Sequence, residues 1–118
     1  MRPNIIDIHS PDIKNLEEYW PENETNFCFY LELSIGVASQ EGEEIFGITV
    51  CTPEWLMSNY KRDEVIFLRH YLLVFEYDRN RIIEAISKRI HSLSADNWEK
   101  LALKIGEVAY WEFENYKQ

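Results

Sequence analysis

The side chains that most often do chemistry are few in this sequence, and they are scattered. The three histidines, His9, His70 and His91, have no second histidine or cysteine at metal-ligand spacing. No His-Glu-x-x-His run and no Cys-x-x-Cys run occurs, so no zinc or redox motif is present. Cys28 and Cys51 have no basic neighbour in sequence that would stabilise a thiolate, and a thiol that keeps its proton is a poor nucleophile. Glycine stands only at positions 36, 42, 47 and 106, which cannot make a phosphate loop. Carboxylates are so frequent that pairs such as Glu17/Glu18, Glu43/Glu44 and Glu112/Glu114 arise without catalytic meaning. A carboxylate pair assembled only in space stays open, because spacing along the chain does not report it. These residues predict a protein that is not an enzyme and that needs no cofactor and no metal.

The placement of charge says more. The formal net charge is −9. Residues 1–59 hold eleven acids (Asp7, Asp12, Glu17, Glu18, Glu22, Glu24, Glu32, Glu41, Glu43, Glu44, Glu54) against two bases (Arg2, Lys14), which sums to −9. Residues 60–118 hold ten acids and ten bases and sum to zero. A surface of that sign repels phosphate, which argues against nucleic acid as a partner. It attracts a basic protein and speeds the encounter. Acidic loops also serve plain solubility.

The elements that must position these groups follow from periodicity. The 118 residues suffice for one domain, 1–118, with a real core and no need of metal or disulfide. No apolar run approaches the ~20 residues of a membrane span, and Asp7 interrupts the only apolar patch near the start, so no signal peptide is read. Two cysteines suit a reducing cytoplasm, where they stay thiols. Residues 4–9 read as a short strand, and Ser10-Pro11-Asp12 as a turn. Phe27, Phe29, Leu31, Leu33, Ile35 and Val37 alternate with polar or small residues, the signature of a strand with one buried face. Phe46, Ile48 and Val50 repeat that pattern after a polar loop around Gly42, which makes an antiparallel hairpin. Matching the apolar faces places Val37 across from Phe46, Ile35 from Ile48 and Leu33 from Val50. In that register Cys51 faces Glu32, and Cys28 lies roughly 13 Å away, beyond disulfide reach.

Thr52, Pro53 and Glu54 then open a short helix as cap, first residue and dipole partner, with Trp55 and Leu56 turning inward. Residues 68–77 read as a strand, and the stretch 71–75, apolar at every position, reads as covered on both faces. Asp78 caps a helix whose stripe is Ile82, Ile83, Ile86, Ile90 and Leu93. Asp96 opens the last helix with Glu99 three residues on, and its apolar side runs from Trp98 to Tyr116. The expected fold is α+β: an antiparallel sheet of about four strands, a short helix after the hairpin, and two C-terminal helices on one face.

Trp98 and Trp55 fit packing roles. Trp20, Tyr30, Tyr60 and Tyr110 are less constrained, and several stand beside acids. Aromatic anchors with a charged rim are what protein interfaces use. The partner-binding candidates are therefore Glu17, Glu18, Trp20, Glu22 and Glu24 in one loop, and Glu41, Glu43 and Glu44 in the other.

The chain resembles the immunity protein 8 family of bacterial polymorphic toxin and contact-dependent competition systems. The matching pieces are His9-Ser10-Pro11-Asp12, Ile35-Gly36, Phe46-Gly47-Ile48-Thr49-Val50-Cys51-Thr52-Pro53-Glu54-Trp55-Leu56, and Trp111-Glu112-Phe113-Glu114-Asn115-Tyr116. The specific piece is Cys-Thr-Pro-x-Trp-Leu. The resemblance spans essentially the whole chain. It implies a small cytoplasmic protein that binds the C-terminal domain of a cognate toxin and neutralises it without turnover, and it names neither the toxin nor any contact residue. The acidic first half suits a basic toxin such as a nuclease, with nucleic acid and membrane excluded as partners and monomer or homodimer left open. The alternative is a non-enzymatic adaptor or assembly subunit that self-associates through its aromatic C-terminal end.

Overall fold

A computed structural model describes residues 1–112, in the order β1 (Asn4–His9), β2 (Cys28–Gly36), β3 (Glu44–Cys51), α1 (Pro53–Asn59), β4 (Tyr71–Leu73), α2 (Arg79–His91), α3 (Trp98–Gly106) and β5 (Tyr110–Trp111). The fold is α+β, with a mixed sheet ordered β1-β2-β3-β4 and β5 also paired to β3. β1 and β2 are antiparallel, with a bulge between Ile5 and Asp7 that leaves Ile6 exposed. β3 and β4 run parallel, so the expectation of a purely antiparallel sheet is corrected. α1 and the residues after it form the crossover that a parallel pair requires.

Alternation along β2 and β3 decides which face is buried. Phe29, Leu31, Leu33, Ile35, Phe46, Ile48 and Val50 all point to one side and are nearly or wholly buried. Ile82, Ile86 and Ile90 of α2 and Leu101, Ala102 and Ile105 of α3 cover that side, as their helical spacing requires. Asp78 caps α2, its side chain accepting from the Arg81 N–H at 3.1 Å. Asn97 caps α3 by accepting from the Lys100 N–H at 2.9 Å, so the cap lies one residue beyond the predicted Asp96. α3 ends at Gly106, and the chain turns into β5 rather than continuing as helix. The rest of the predicted aromatic helix end, to Tyr116, lies outside the described residues.

Two further expectations are corrected. The strand read over residues 68–77 shortens to Tyr71–Leu73, and within the stretch expected to be covered on both faces Leu73 and Phe75 are exposed. The hairpin register is displaced by four residues: Leu33 faces Phe46, Leu31 faces Ile48, Phe29 faces Val50, and Cys28 faces Cys51. An even displacement leaves every side chain on its predicted face, so the apolar pattern is equally content in either register.

Thr52 joins the hairpin to the crossover. Its hydroxyl oxygen accepts from the Trp55 N–H at 3.3 Å, capping α1, and from the Phe27 N–H at 3.2 Å. The Thr52 N–H donates to the Phe27 carbonyl at 3.2 Å, which adds one more rung to the β2–β3 ladder. None of the α1 side chains is fully buried; Trp55 and Leu56 are half-buried, and Trp55 meets the Tyr60 ring edge-on at 6.3 Å.

Candidate partner-binding surface

The two acidic loops do not form one face. Glu17, Glu18, Trp20, Glu22 and Glu24 belong to the β1–β2 connection and lie at the Cys28 end of the hairpin. Glu41, Glu43 and Glu44 lie at its turn. The nine residues of β2 separate these ends by about 26 Å.

At the Cys28 end, the loop is held down by its neighbours. The Tyr77 N–H donates to the Glu24 carbonyl at 2.8 Å, and Asn26 Nδ2 donates to Ser58 of α1 at 3.1 Å. Tyr77 is buried against Phe27 and Phe29, and its ring meets Trp20 edge-on at 5.0 Å and Tyr19 at 5.7 Å. Trp20 thus rests on a fixed platform while remaining 60% exposed, and Glu17, Glu18, Glu22 and Glu24 stand exposed around it. Desolvation by burial raises the pKa of Tyr19 and of Tyr77, so both rings stay neutral well above physiological pH.

The sequence reading missed the apolar material beside this loop. Of the twelve large hydrophobic side chains exposed among the described residues, eight belong to this loop, α1, the crossover and the β4 end: Trp20, Met57, Val65, Ile66, Phe67, Leu68, Leu73 and Phe75. Phe67 and Val65 are essentially bare, Met57 is 81% exposed and Phe75 73%. Residues 61–69 are exposed throughout and carry Lys61, Arg62 and Arg69 around the apolar run. Concentrated exposed apolar side chains are a feature that interaction surfaces share. The signal available in the sequence was Val65-Ile66-Phe67-Leu68 itself, part of which was assigned to a buried strand.

The turn end is different. Gly42 adopts φ 96°, and the turn folds back so that its carbonyl crowds Gly36, where a Cβ would come within 2.6 Å. Glu41, Glu43 and Glu44 line a cleft of about 200 Å³ beside Trp98. Glu41 and Glu43 are exposed and Glu44 is half-buried. No group of three or more metal-competent side chains forms among the described residues.

The histidines are accounted for individually. His9 directs Nδ1 at Asp7 Oδ2 (3.0 Å) and Nε2 at Glu32 Oε1 (3.1 Å), tying β1 to β2 on the outer face of the sheet. His70 has φ 62°, and its Nε2 lies 2.6 Å from the Gly106 carbonyl, to which it donates, joining β4's entry to the end of α3. His91 is exposed in the last turn of α2. His70 borders a cleft of about 440 Å³ between the sheet and α2, whose one carboxylate is Glu107. A lone carboxylate beside an imidazole held by a backbone carbonyl does not make an acid–base pair.

The family model described as Immunity protein 8 matches residues 4–116. The chain belongs to this family. No curated protein and no solved structure matches it. In this immunity protein 8 member, Phe46–Leu56 is the structural joint of the fold: Phe46, Ile48 and Val50 face the core and Thr52 fixes both α1 and the end of β2. The surface with a partner's features lies elsewhere, on the loop, helix and crossover around Trp20 and Met57. No helix among the described residues is long and apolar enough to cross a membrane.

Proposed function

We propose that this protein neutralises a cognate bacterial toxin domain by binding it stoichiometrically, without catalysis, in the cytoplasm, as one domain. The family match over residues 4–116 carries the reading. The toxin docks at the Cys28 end, where Trp20, Met57 and Phe75 supply apolar anchors and Glu17, Glu18, Glu22 and Glu24 a charged rim. That combination is how interfaces divide labour: apolar anchors hold the complex and rim charges steer its formation. A basic toxin, such as a nuclease, fits the sign of the rim. Inhibition without turnover requires tight binding, nanomolar or better, about −12 kcal/mol. Glu41, Glu43 and Glu44 at the far end add only long-range field, felt when ionic strength is low.

The test is co-expression and co-purification with the C-terminal domain encoded by the gene directly upstream, at low and high salt. A one-to-one complex that weakens as salt rises supports immunity through the acidic rim. A complex indifferent to salt keeps immunity and moves the contact onto the apolar strip alone. The same strip favours a second reading, an adaptor that self-associates: a homodimer broken by Val65→Ser with Phe67→Ser, and no complex with the toxin domain, would establish it instead.

A further inference from the structure

Cys28 and Cys51 are direct cross-strand partners on β2 and β3, and both are free thiols. The kind of rung they occupy is fixed by its neighbours. At the next rung the Thr52 N–H bonds to the Phe27 carbonyl. On β3, the Thr49 N–H and the Cys51 carbonyl both turn away from β2, to His70 and Val74. Cys28 and Cys51 therefore form a non-hydrogen-bonded pair, the rung whose Cα atoms approach most closely, at about 4.5 Å. That lies within the ~4.4–6.8 Å span of disulfides, and both side chains project to the same outer face of the sheet. The two thiols are near enough to hydrogen-bond to each other.

We propose that Cys28 and Cys51 are a paired oxidation site, which a low-molecular-weight disulfide such as oxidised glutathione converts to an intramolecular disulfide joining β2 to β3. The order of attack follows from exposure. Cys28 is half-buried and Cys51 fully buried, so Cys28 meets the reagent first. Cys28 Sγ gives up its proton and attacks one sulfur of the reagent, the reagent's S–S bond breaks, and one glutathione leaves as thiol. Cys51 Sγ then gives up its proton and attacks Cys28 Sγ, and the second glutathione leaves. The protein loses two hydrogens and two electrons, and the reagent is reduced to two thiols. Burial, Cys51 and Asp12 push the Cys28 thiol up to about 11, so the first attack is slow at neutral pH and quickens as pH rises. Besides Asp12, the titrating group that faces the pair is Tyr71 of β4, which is itself bonded to Tyr60. The bond would tie together the rung beside Thr52, and so stiffen the end of the sheet on which the Trp20 loop and α1 rest.

The test treats the native protein with oxidised glutathione at about pH 9 and reads intact mass and cross-linked peptides. The expected wild-type product is a monomer lighter by two hydrogens, with one peptide pair joining Cys28 to Cys51, reversed by dithiothreitol. Cys51→Ala should stop at a single glutathione adduct on Cys28, and Cys28→Ala should take up none while folded. Hydrogen exchange at β2–β3 amides near residues 28 and 51 should slow in the oxidised monomer. A wild-type protein that carries glutathione adducts, forms linked dimers, or keeps both thiols while Cys51→Ala accepts its adduct would overturn the proposal.

Discussion

Reversing the acidic rim at one end of the hairpin should slow toxin association, and reversing it at the other should not. Glu17, Glu18, Glu22 and Glu24 changed to Lys alter the charge by eight units, from −9 to −1. Glu41, Glu43 and Glu44 changed to Lys alter it by six, from −9 to −3. A charge about 10 Å from a facing cation is worth about 0.4 kcal/mol in water, and about a third of that after screening at 0.15 M ionic strength. Eight units against two facing cations then amount to about 2 kcal/mol, or roughly a 25-fold slower association. From about 26 Å, some three Debye lengths away, the six-unit change is worth less than about 0.1 kcal/mol. The assay is stopped-flow association with the purified toxin domain across a salt series. Near-end reversal should slow binding about 20-fold or more at 0.15 M, while far-end reversal stays within about twofold. At about 0.01 M the Debye length reaches about 30 Å, and the far-end variant should then slow as well, by roughly fourfold. Equal effects of the two variants at 0.15 M, or a larger effect at the far end, would refute the placement of the docking surface.

Met57→Ser with Phe75→Ser removes two exposed anchors, so urea stability should change by no more than about 0.5 kcal/mol per site while the complex weakens by about 30-fold or more in titration calorimetry. Thr52→Ala should cost about 2–3 kcal/mol in urea denaturation, because it orphans both the Trp55 and Phe27 N–H groups, whereas Thr52→Ser keeps both bonds and should recover most of the loss. Alkaline pH should destabilise the fold: Cys28 and Cys51 have raised pKa values in the folded chain, so the unfolded chain loses those protons first. Stability is then complete below about pH 8.5 and falls toward pH 11, by at most about 2–3 kcal/mol from Cys28. Tyr19, Tyr30, Tyr71 and Tyr77 are shifted the same way and steepen the fall at its upper end. Urea midpoints across that window check the sign, and Cys28→Ser should flatten its lower part.

What was legible in the sequence was whatever a single segment decides for itself. Alternation identified β2 and β3, Thr52-Pro53-Glu54 identified α1, and Asp78 marked the start of α2. What depended on two segments meeting was not legible. The stretch 71–75 is apolar enough for a doubly covered strand, yet its ladder with β3 runs only over Tyr71–Leu73, and nothing local reveals that Leu73 and Phe75 lie exposed. The two acidic loops look alike in composition, and only the length of β2 separates them. Trp20 reads as an exposed aromatic in either account; that Tyr77, more than fifty residues on, supplies its platform follows from the Glu24–Tyr77 backbone bond.

The hairpin register shows why an apolar pattern alone is not enough. A slip of one residue is forbidden, because it would put the core set in water, but a slip of four conserves both faces. The choice among even registers falls to the outer face and the turn. With Val37 opposite Phe46, Gly47 would face Gly36 and Tyr30 would sit opposite Pro53, beyond the end of β3. In the observed register Glu32 faces Gly47, and Tyr30, opposite Thr49, lays its ring across that glycine, into the space a Cβ would occupy. A glycine inside a strand leaves backbone bare, and an aromatic ring from the neighbouring strand restores the lost cover. The turn agrees: pairing Ile35 with Glu44 leaves Val37–Glu43 as a loop in which Gly42 takes a positive φ and folds over Gly36. The glycines at 36, 42 and 47, which carry no phosphate-binding motif, are thus the residues that select the register. Their selection is also what turns two cysteines judged out of reach into a directly opposed pair.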